Sequence, residues 1–388
     1  MIARESPAHT KRIIGLFPEL LGTGGIQEAG RLTAAALDEI AVRRGWSNGF
    51  ISLNDPPGLR ALGAGQHKIP FRGFGRRKIP FLLAAVEAGR ASSRKAGGIV
   101  LAIHPNLAVV TGWMQRVSPH LRTIVMTHGV EVWKPLTMRR RHALERAQIV
   151  LAPSSDTVRK LIEVQGVRPE KIRKLPWPMN PSYLRLARAP DDLSLPKAFP
   201  KQARVILTVG RWAASERYKG ADELIHAIRQ LVTLVPGLHL VAVGGGDDLA
   251  RLRQVATDLD VADRVHFLND LSNEEVAACY AHAEIFALPS AGEGFGLVFL
   301  EAMAFAKPLV GVASGGTTDV IENGINGFLV PPANADALVQ ALSRLLCDES
   351  LRGELGRHGA EMVRRKYQFA DFESALESIL DECDKRPG

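Results

Sequence analysis

Cysteine is scarce in this chain: three in 388 residues, Cys279, Cys347 and Cys383, with no C-x-x-C pair and no histidine at ligand spacing. Neither a disulfide framework nor a zinc site is expected, and a reducing cytoplasm suits such usage. Long apolar runs are missing as well. The run before Pro18 is only five residues long, shorter than the core of a secretory signal. No segment reaches the roughly 18 unbroken apolar residues of a spanning helix. There is no fixed-period repeat and no low-complexity tract. With 46% hydrophobic and 23% charged residues the chain is not of the disordered kind, and 388 residues suit two domains better than one.

Acidic residues are sparse in the first half. Up to residue 190 there are 30 Lys and Arg against 12 Asp and Glu, a net of +18, whereas the remainder carries a net of −10. A basic half meets phosphate, on nucleic acid or on an anionic membrane, or simply coats a solvated face. The sharpest local signal is I-P-F-R-G-F-G-R-R-K-I-P-F-L-L, residues 69–83. Here Arg72, Arg76, Arg77 and Lys78 alternate with Phe71, Phe74, Phe81, Leu82 and Leu83, a mixture that predicts docking in a lipid headgroup layer. No RNA-binding motif is present, so nucleic acid is not the expected partner.

Short continuous Val/Ile/Leu runs recur from end to end. Strands are expected at 12–17, 98–103, 122–127 and 148–153, then at 203–210, 238–244, 264–268, 284–289 and 308–312, with amphipathic stretches such as 26–44 and 154–165 between them. Continuous rather than alternating apolar strands are covered on both faces, which means parallel sheets with crossover helices. Two such series predict an α/β protein with two doubly wound, Rossmann-like domains, their ligand beyond the carboxyl ends of the strands. The proline-rich, aperiodic stretch 188–202 predicts the seam, giving domains 1–195 and 196–388.

Chemistry-bearing residues cluster at the ends of these strands. The first runs into G-T-G-G-I-Q, where a G-x-G-x-x-G fingerprint fails because Gln27 stands at its last position. Gly24 and Gly25 remain, either as a tight turn or as bare amides before a helix. V-G-R-W-A-A-S-E-R-Y-K-G places Arg211 just past a strand and Lys219 at the next helix, a planar fork and a point charge suited to a diphosphate. Gly244, in V-G-G-G-D-D, follows another strand. Most telling is S-A-G-E-G-F-G-L-V-F-L-E, residues 290–301: a turn whose Phe295, Gly296 and Leu297 amides face an anion, with Glu293 on the turn and Glu301 two helical turns on, where a carboxylate accepts vicinal hydroxyls.

In this order and spacing, V-G-R with K-G, V-G-G-G-D, E-G-F-G-L-V-F-L-E, A-M-A-F-A-K-P-L-V and A-S-G-G-T-T-D-V-I-E-N-G-I-N-G-F-L-V-P-P resemble the donor domain of retaining GT-B glycosyltransferases of family 4. The stretch 204–332 carries the likeness, and the first half matches more loosely through Gly24-Gly25, T-H-G-V-E at 127–131 and L-A-P-S-S-D at 151–156. The A-K-P at 306–308 replaces the G-K-P of many relatives. The resemblance implies two domains facing a central cleft, with the last helix, about 367–388, packed back on the first. It implies that Arg211 and Lys219 hold the donor diphosphate, Glu301 the ribose and Glu293 the sugar, with backbone donors at Phe295, Gly296, Leu297 and Gly25. It gives His128 the donor sugar, although His104, in A-I-H-P-N, also follows a strand.

The implied activity is hexosyl transfer, glucosyl or mannosyl, from a UDP- or GDP-sugar to a glycan or glycolipid acceptor, with no cofactor and no metal. The aspartate pairs 191–192 and 247–248 lack a flanking ligand set. A basic first half suggests a lipid-linked or polysaccharide acceptor at the inner face of the membrane. An epimerase of the same fold and a non-catalytic sugar-nucleotide or glycan-binding subunit are the alternatives.

Overall fold

The computed structural model describes residues 10–63, 68–92 and 96–386. Residues 1–9 of the expected first domain and 387–388 of the expected last helix lie outside them. The chain forms two units: one runs to Pro178 and resumes at Phe369, the other is Met179–Gln368.

In the first unit the strands are β1 (Arg12–Phe17), β2 (Ser47–Ser52), β3 (Gly58–Leu62), β4 (Ile69–Gly73), β5 (Gly98–Ala102), β6 (Leu121–Met126), β7 (Ile149–Ala152) and β8 (Ile172–Lys174). They lie in the order β3-β4-β2-β1-β5-β6-β7-β8, all parallel except β3 against β4. Between them run α1 (Gly25–Arg44), α2 (Lys78–Arg90), α3 (Pro105–Val117), α4 (Met138–Arg146) and α5 (Ser155–Glu163). Central strands β1, after its opening Arg12, and β5 are apolar because helices cover both faces; Ile13, Ile14, Leu16 and Val100 are fully buried. In this unit the sequence reading misses β2, β3, β4 and β8.

The second unit holds β9 (Arg204–Val209), β10 (Leu238–Val243), β11 (Val265–Leu268), β12 (Ile285–Leu288), β13 (Leu309–Val312) and β14 (Gly327–Val330), all parallel, in the order β11-β10-β9-β12-β13-β14. Its helices are α6 (Pro181–Leu186), α7 (Ala221–Leu231), α8 (Leu249–Asp258), α9 (Asn273–His282), α10 (Leu297–Ala304), α11 (Thr317–Val320), α12 (Ala335–Cys347) and α13 (Glu349–Lys366). At the amino ends of the two central strands Arg204 grips Glu284 with both arms, at 2.9 and 2.7 Å. A final helix, α14 (Phe369–Lys385), belongs to the first unit.

The boundary therefore falls 17 residues before the expected 195. Prolines mislead here: α6 packs on α9 and α10, and Phe199 of the expected seam sets its ring against His282 at 6.3 Å, so the whole segment is part of the second unit. The charge asymmetry softens too. Helix α14 brings six acidic residues to the basic unit, where Arg43 pairs with Glu373 and Glu377, Arg44 with Asp381, and Arg173 with Glu382.

The segment 69–83 is a strand, a turn and the start of a helix. Ile69, Phe71 and Gly73 alternate inward along β4, and Phe74 and Phe81 meet edge-to-face at 5.6 Å in the core. Those aromatics are not available to a membrane. What stays outside is Arg72, Arg76, Arg77 and Lys78 with Ile79 and Leu83. Among the described residues no helix is long and apolar enough to cross a membrane.

Candidate functional site

In an open parallel sheet, neighbouring strands whose crossovers leave in opposite directions open a crevice at their carboxyl ends. In the second unit that pair is β9 and β12, and Arg211, Lys219, Glu293 and Glu301 all follow one or the other strand.

Glycines let the loops meet there. A Cβ on Gly244 would lie 1.9 Å from the Gly210 carbonyl oxygen, and one on Gly246 2.0 Å from that of Trp212. Gly220 is pressed in the same way on the Pro289 carbonyl. Gly315 and Gly316 press on the backbone of Glu293 and Gly294, and the Gly316 amide donates to the Glu293 carbonyl at 2.7 Å. Gly244, expected from the sequence as a donor-binding glycine, has a structural task here. Its N–H donates to Leu268 O at 2.7 Å, and its left-handed backbone (φ 119°) lets two loops touch.

Arg211 leaves β9 with an exposed side chain, and Lys219 closes the 3-10 turn 214–219. Both reach the same carboxylate. Arg211 pairs with Glu216, and the Lys219 ammonium lies 2.9 Å from its other oxygen. Burial pushes the Lys219 ammonium below its ordinary pKa, with Glu293 opposing and Arg211 adding to the shift. Glu293 is shifted up, first by burial, while Lys219 and the Ser290 hydroxyl act against it. A lysine and a carboxyl of shifted affinity thus stand beside each other at the crevice.

Helix α10 opens at Leu297 after Gly296, whose left-handed backbone (φ 87°) starts the turn. The Phe295, Gly296 and Leu297 amides lie where a helix has no internal acceptors for its first N–H groups. Glu301, half-buried on the fifth residue of α10, accepts the Tyr280 hydroxyl at 2.8 Å. Tyr280 is fully buried and stacks on Phe305 at 5.9 Å. Sequence reasoning passed over it because a tyrosine in a helix carries no motif.

The aspartates 247 and 248 are committed to structure. Asp247 accepts the Ala214 amide at 2.8 Å. Arg251 first, then Arg217, hold Asp248 down to about 2. An Asp-x-Asp, Asp258 and Asp260, closes α8 on the way into β11, at the amino edge of the sheet and away from the crevice. Among the described residues no three His, Cys, Asp or Glu side chains converge as metal ligands.

In the first unit the corresponding strand pair is β1 and β5. Gly24 and Gly25 follow β1; Gly24 is left-handed (φ 127°), and Gly25 opens the 20-residue α1. Their loop is shaped by a residue the motif does not announce. Buried Asp55 accepts the Leu20 amide at 2.7 Å, the Leu21 amide at 3.0 Å and the Ser52 hydroxyl at 2.5 Å.

His104 follows β5 and His128 follows β6, and the two stack at 5.8 Å. His128 is stacked in turn on Trp177 at 5.5 Å, and its Nε2 lies 2.6 Å from the Ile103 carbonyl, so Nε2 carries the proton. His104 is lowered to about 4, chiefly by burial, and is neutral near pH 7. Trp177 packs on Phe372 of α14 at 5.9 Å, so the last helix supports this stack.

Residues 192–362 match the profile of glycosyl transferases group 1. The chain is similar to D-inositol 3-phosphate glycosyltransferase of Corynebacterium jeikeium, 28% identical over 85% of this chain and 83% of that protein. A GDP-mannose-dependent alpha-(1-6)-phosphatidylinositol monomannoside mannosyltransferase of Mycolicibacterium smegmatis is 40% identical over 42% of this chain and 44% of its own. Among solved structures, sucrose-phosphate synthase from Thermosynechococcus elongatus superposes with a TM-score of 0.74 at 24% identity, covering 96% of this chain and 98% of that one. Anabaena HepE, solved with UDP and glucose, gives 0.73 at 19%, covering 96% and 99%. The fold is GT-B, and the chain is an enzyme, a glycosyltransferase of the hexosyltransferase class.

Proposed function

We propose that this glycosyltransferase moves a glucosyl- or mannosyl-type group from a UDP- or GDP-sugar to an acceptor hydroxyl, with retention at the anomeric carbon. The observation that carries the reading is the convergence of Arg211 and Lys219 on one carboxylate beside Glu293. Two cations spaced to share a carboxylate are spaced to share a diphosphate. Glu301, aimed by Tyr280, takes the ribose hydroxyls; Glu293 meets the sugar; the amides from Phe295 to Leu297 face its phosphate end. Gly25 and His128 are assigned to the terminal phosphate and the sugar on the strength of the resemblance alone.

Breaking the bond from the anomeric carbon to the phosphate oxygen is the hard step, because charge builds on the leaving oxygens. Arg211, Lys219 and the loop amides stabilise that charge without a metal. The acceptor oxygen bonds to the anomeric carbon on the same face, and its proton passes to the leaving phosphate oxygen. No residue is then needed as a covalent nucleophile.

The acceptor in this reading is a lipid-linked sugar or polysaccharide intermediate, met by an enzyme seated on the inner face of the cell membrane. Support comes from α2, α3 and α4, which pack side by side and leave Ile79, Leu83, Trp113 and Met138 exposed among Lys78, Arg116, Arg139 and Arg141. Thermal-shift screening with UDP, GDP and their sugars identifies the donor, and sugar release or transfer is then compared for wild type and Glu293→Ala. Retained nucleotide binding with turnover down roughly a hundredfold is expected. Undiminished turnover in the variant would remove Glu293 from the mechanism.

A further inference from the structure

Glu216 is the residue on which the two diphosphate cations meet, and no motif assigns it a role. Its side chain is 11% exposed, and its backbone (φ −123°, ψ 27°) kinks the turn that carries it. The turn does not depend on this carboxylate for its shape. It is pinned by the Ala214 amide on Asp247, by Arg217 on Asp248 at 3.0 and 3.2 Å, and by the Glu216 amide on Ala213 O at 2.8 Å. Glu216 is therefore spare as a strut, yet it holds both cations.

Resting on the donor reading above, we propose that Glu216 is a resident counter-anion of the diphosphate subsite, and that it discriminates against the nucleoside diphosphate product relative to the sugar-bearing donor. A bound diphosphate takes over Arg211 and Lys219, so the Glu216 carboxylate loses both partners and faces a like charge. The repulsion grows with the charge of the ligand. In the donor the terminal phosphate is esterified by the sugar; once the anomeric bond breaks, that oxygen is freed and the product is the more negative anion. The carboxylate thus weighs most heavily on the species that must leave, and it shields the cations between turnovers.

The test is calorimetric titration of the full chain, wild type and Glu216→Gln, with inorganic pyrophosphate, with UDP and GDP, and with UDP-glucose and GDP-mannose. Glu216→Gln is expected to tighten pyrophosphate and the matching nucleoside diphosphate by about tenfold, and the sugar nucleotide by about threefold or less. Product inhibition of turnover strengthens in parallel. Glu216→Ser, which cannot span to both cations, follows the same pattern. Equal or weaker binding of pyrophosphate by both variants, or an unchanged ratio between product and donor, overturns the inference and marks Glu216 as a prop. Arg211→Gln separates the two levels: if it loses affinity while Glu216→Gln gains none, the donor reading stands and the counter-anion falls. If Arg211→Gln binds all five ligands as wild type does, the donor site is elsewhere and both fall.

Discussion

Glu301 is aimed by a phenol that no sequence pattern announces. The Tyr280 hydroxyl is its donor at 2.8 Å, inside a shell of Phe286 and Phe305 that fixes the ring. Removing only that oxygen, in Tyr280→Phe, leaves the packing in place and takes away one hold on the carboxylate. Donor KM is expected to rise about tenfold, with thermal stability close to wild type; steady-state kinetics and a melting curve check this, and an unchanged KM denies Tyr280 a positioning role. The two acids themselves were legible, because a glycine turn before a helix and an eight-residue spacing are written in the chain. Tyr280, Asp55 and Glu216 were not. Tyr280 and Asp55 act through partners that only folding brings near, 21 residues away for Tyr280 and 35 for the Asp55 bond to Leu20, whereas Glu216 has its partners three and five residues away but stands in a loop where an acid reads as a solvated residue.

At the scale of elements, parallel strands were readable where the run is long and continuously apolar, as with β1, β5, β9 and β10; β2, which opens Ser47-Asn48-Gly49, and the four-residue β14 were not. Nor was the edge of the first sheet. Strand β4 alternates, with Ile69, Phe71 and Gly73 inward and Pro70 and Arg72 outward, so its cations and aromatics face opposite ways although they adjoin in sequence. Read without that period, the segment looked like one membrane anchor. The structure moves the question to the outer face of α2, α3 and α4. If that face docks on lipid, Arg76→Gln, Lys78→Gln and Arg139→Gln together weaken binding to anionic vesicles by roughly 1 kcal/mol per residue removed. Vesicle flotation measures this; equal binding to neutral and anionic vesicles by the wild type rules the surface out.

For the whole molecule, alkali is the informative stress. Burial pushes Cys279 and Cys383, one in either unit, up from a thiol's ordinary 9.0 to about 12 each. The folded chain keeps these protons where the unfolded chain loses them, so their contribution is complete below pH about 9 and disappears as pH rises toward 12. Lys307, lowered to about 8 by burial, works in the opposite sense, adding stability as pH climbs from there to 10.5. The lowered amines of Lys219 and Lys171 act in the same sense as Lys307, so the thiol contribution is read by difference. Between pH 8 and pH 10 the urea midpoint of the wild type is expected to drop relative to that of the Cys279→Ala, Cys383→Ala double variant; parallel slopes would exclude the thiols as the cause. The path of the backbone carries a further consequence. Because α14 completes the first unit but is translated after all of the second, a nascent chain emerging from the ribosome holds Trp177 without Phe372, and Arg43 and Arg44 without their carboxylates, until residue 369 and those beyond it have been made. The half that begins synthesis first is thus the last to be finished, and during that interval its bare groove is open to chaperones.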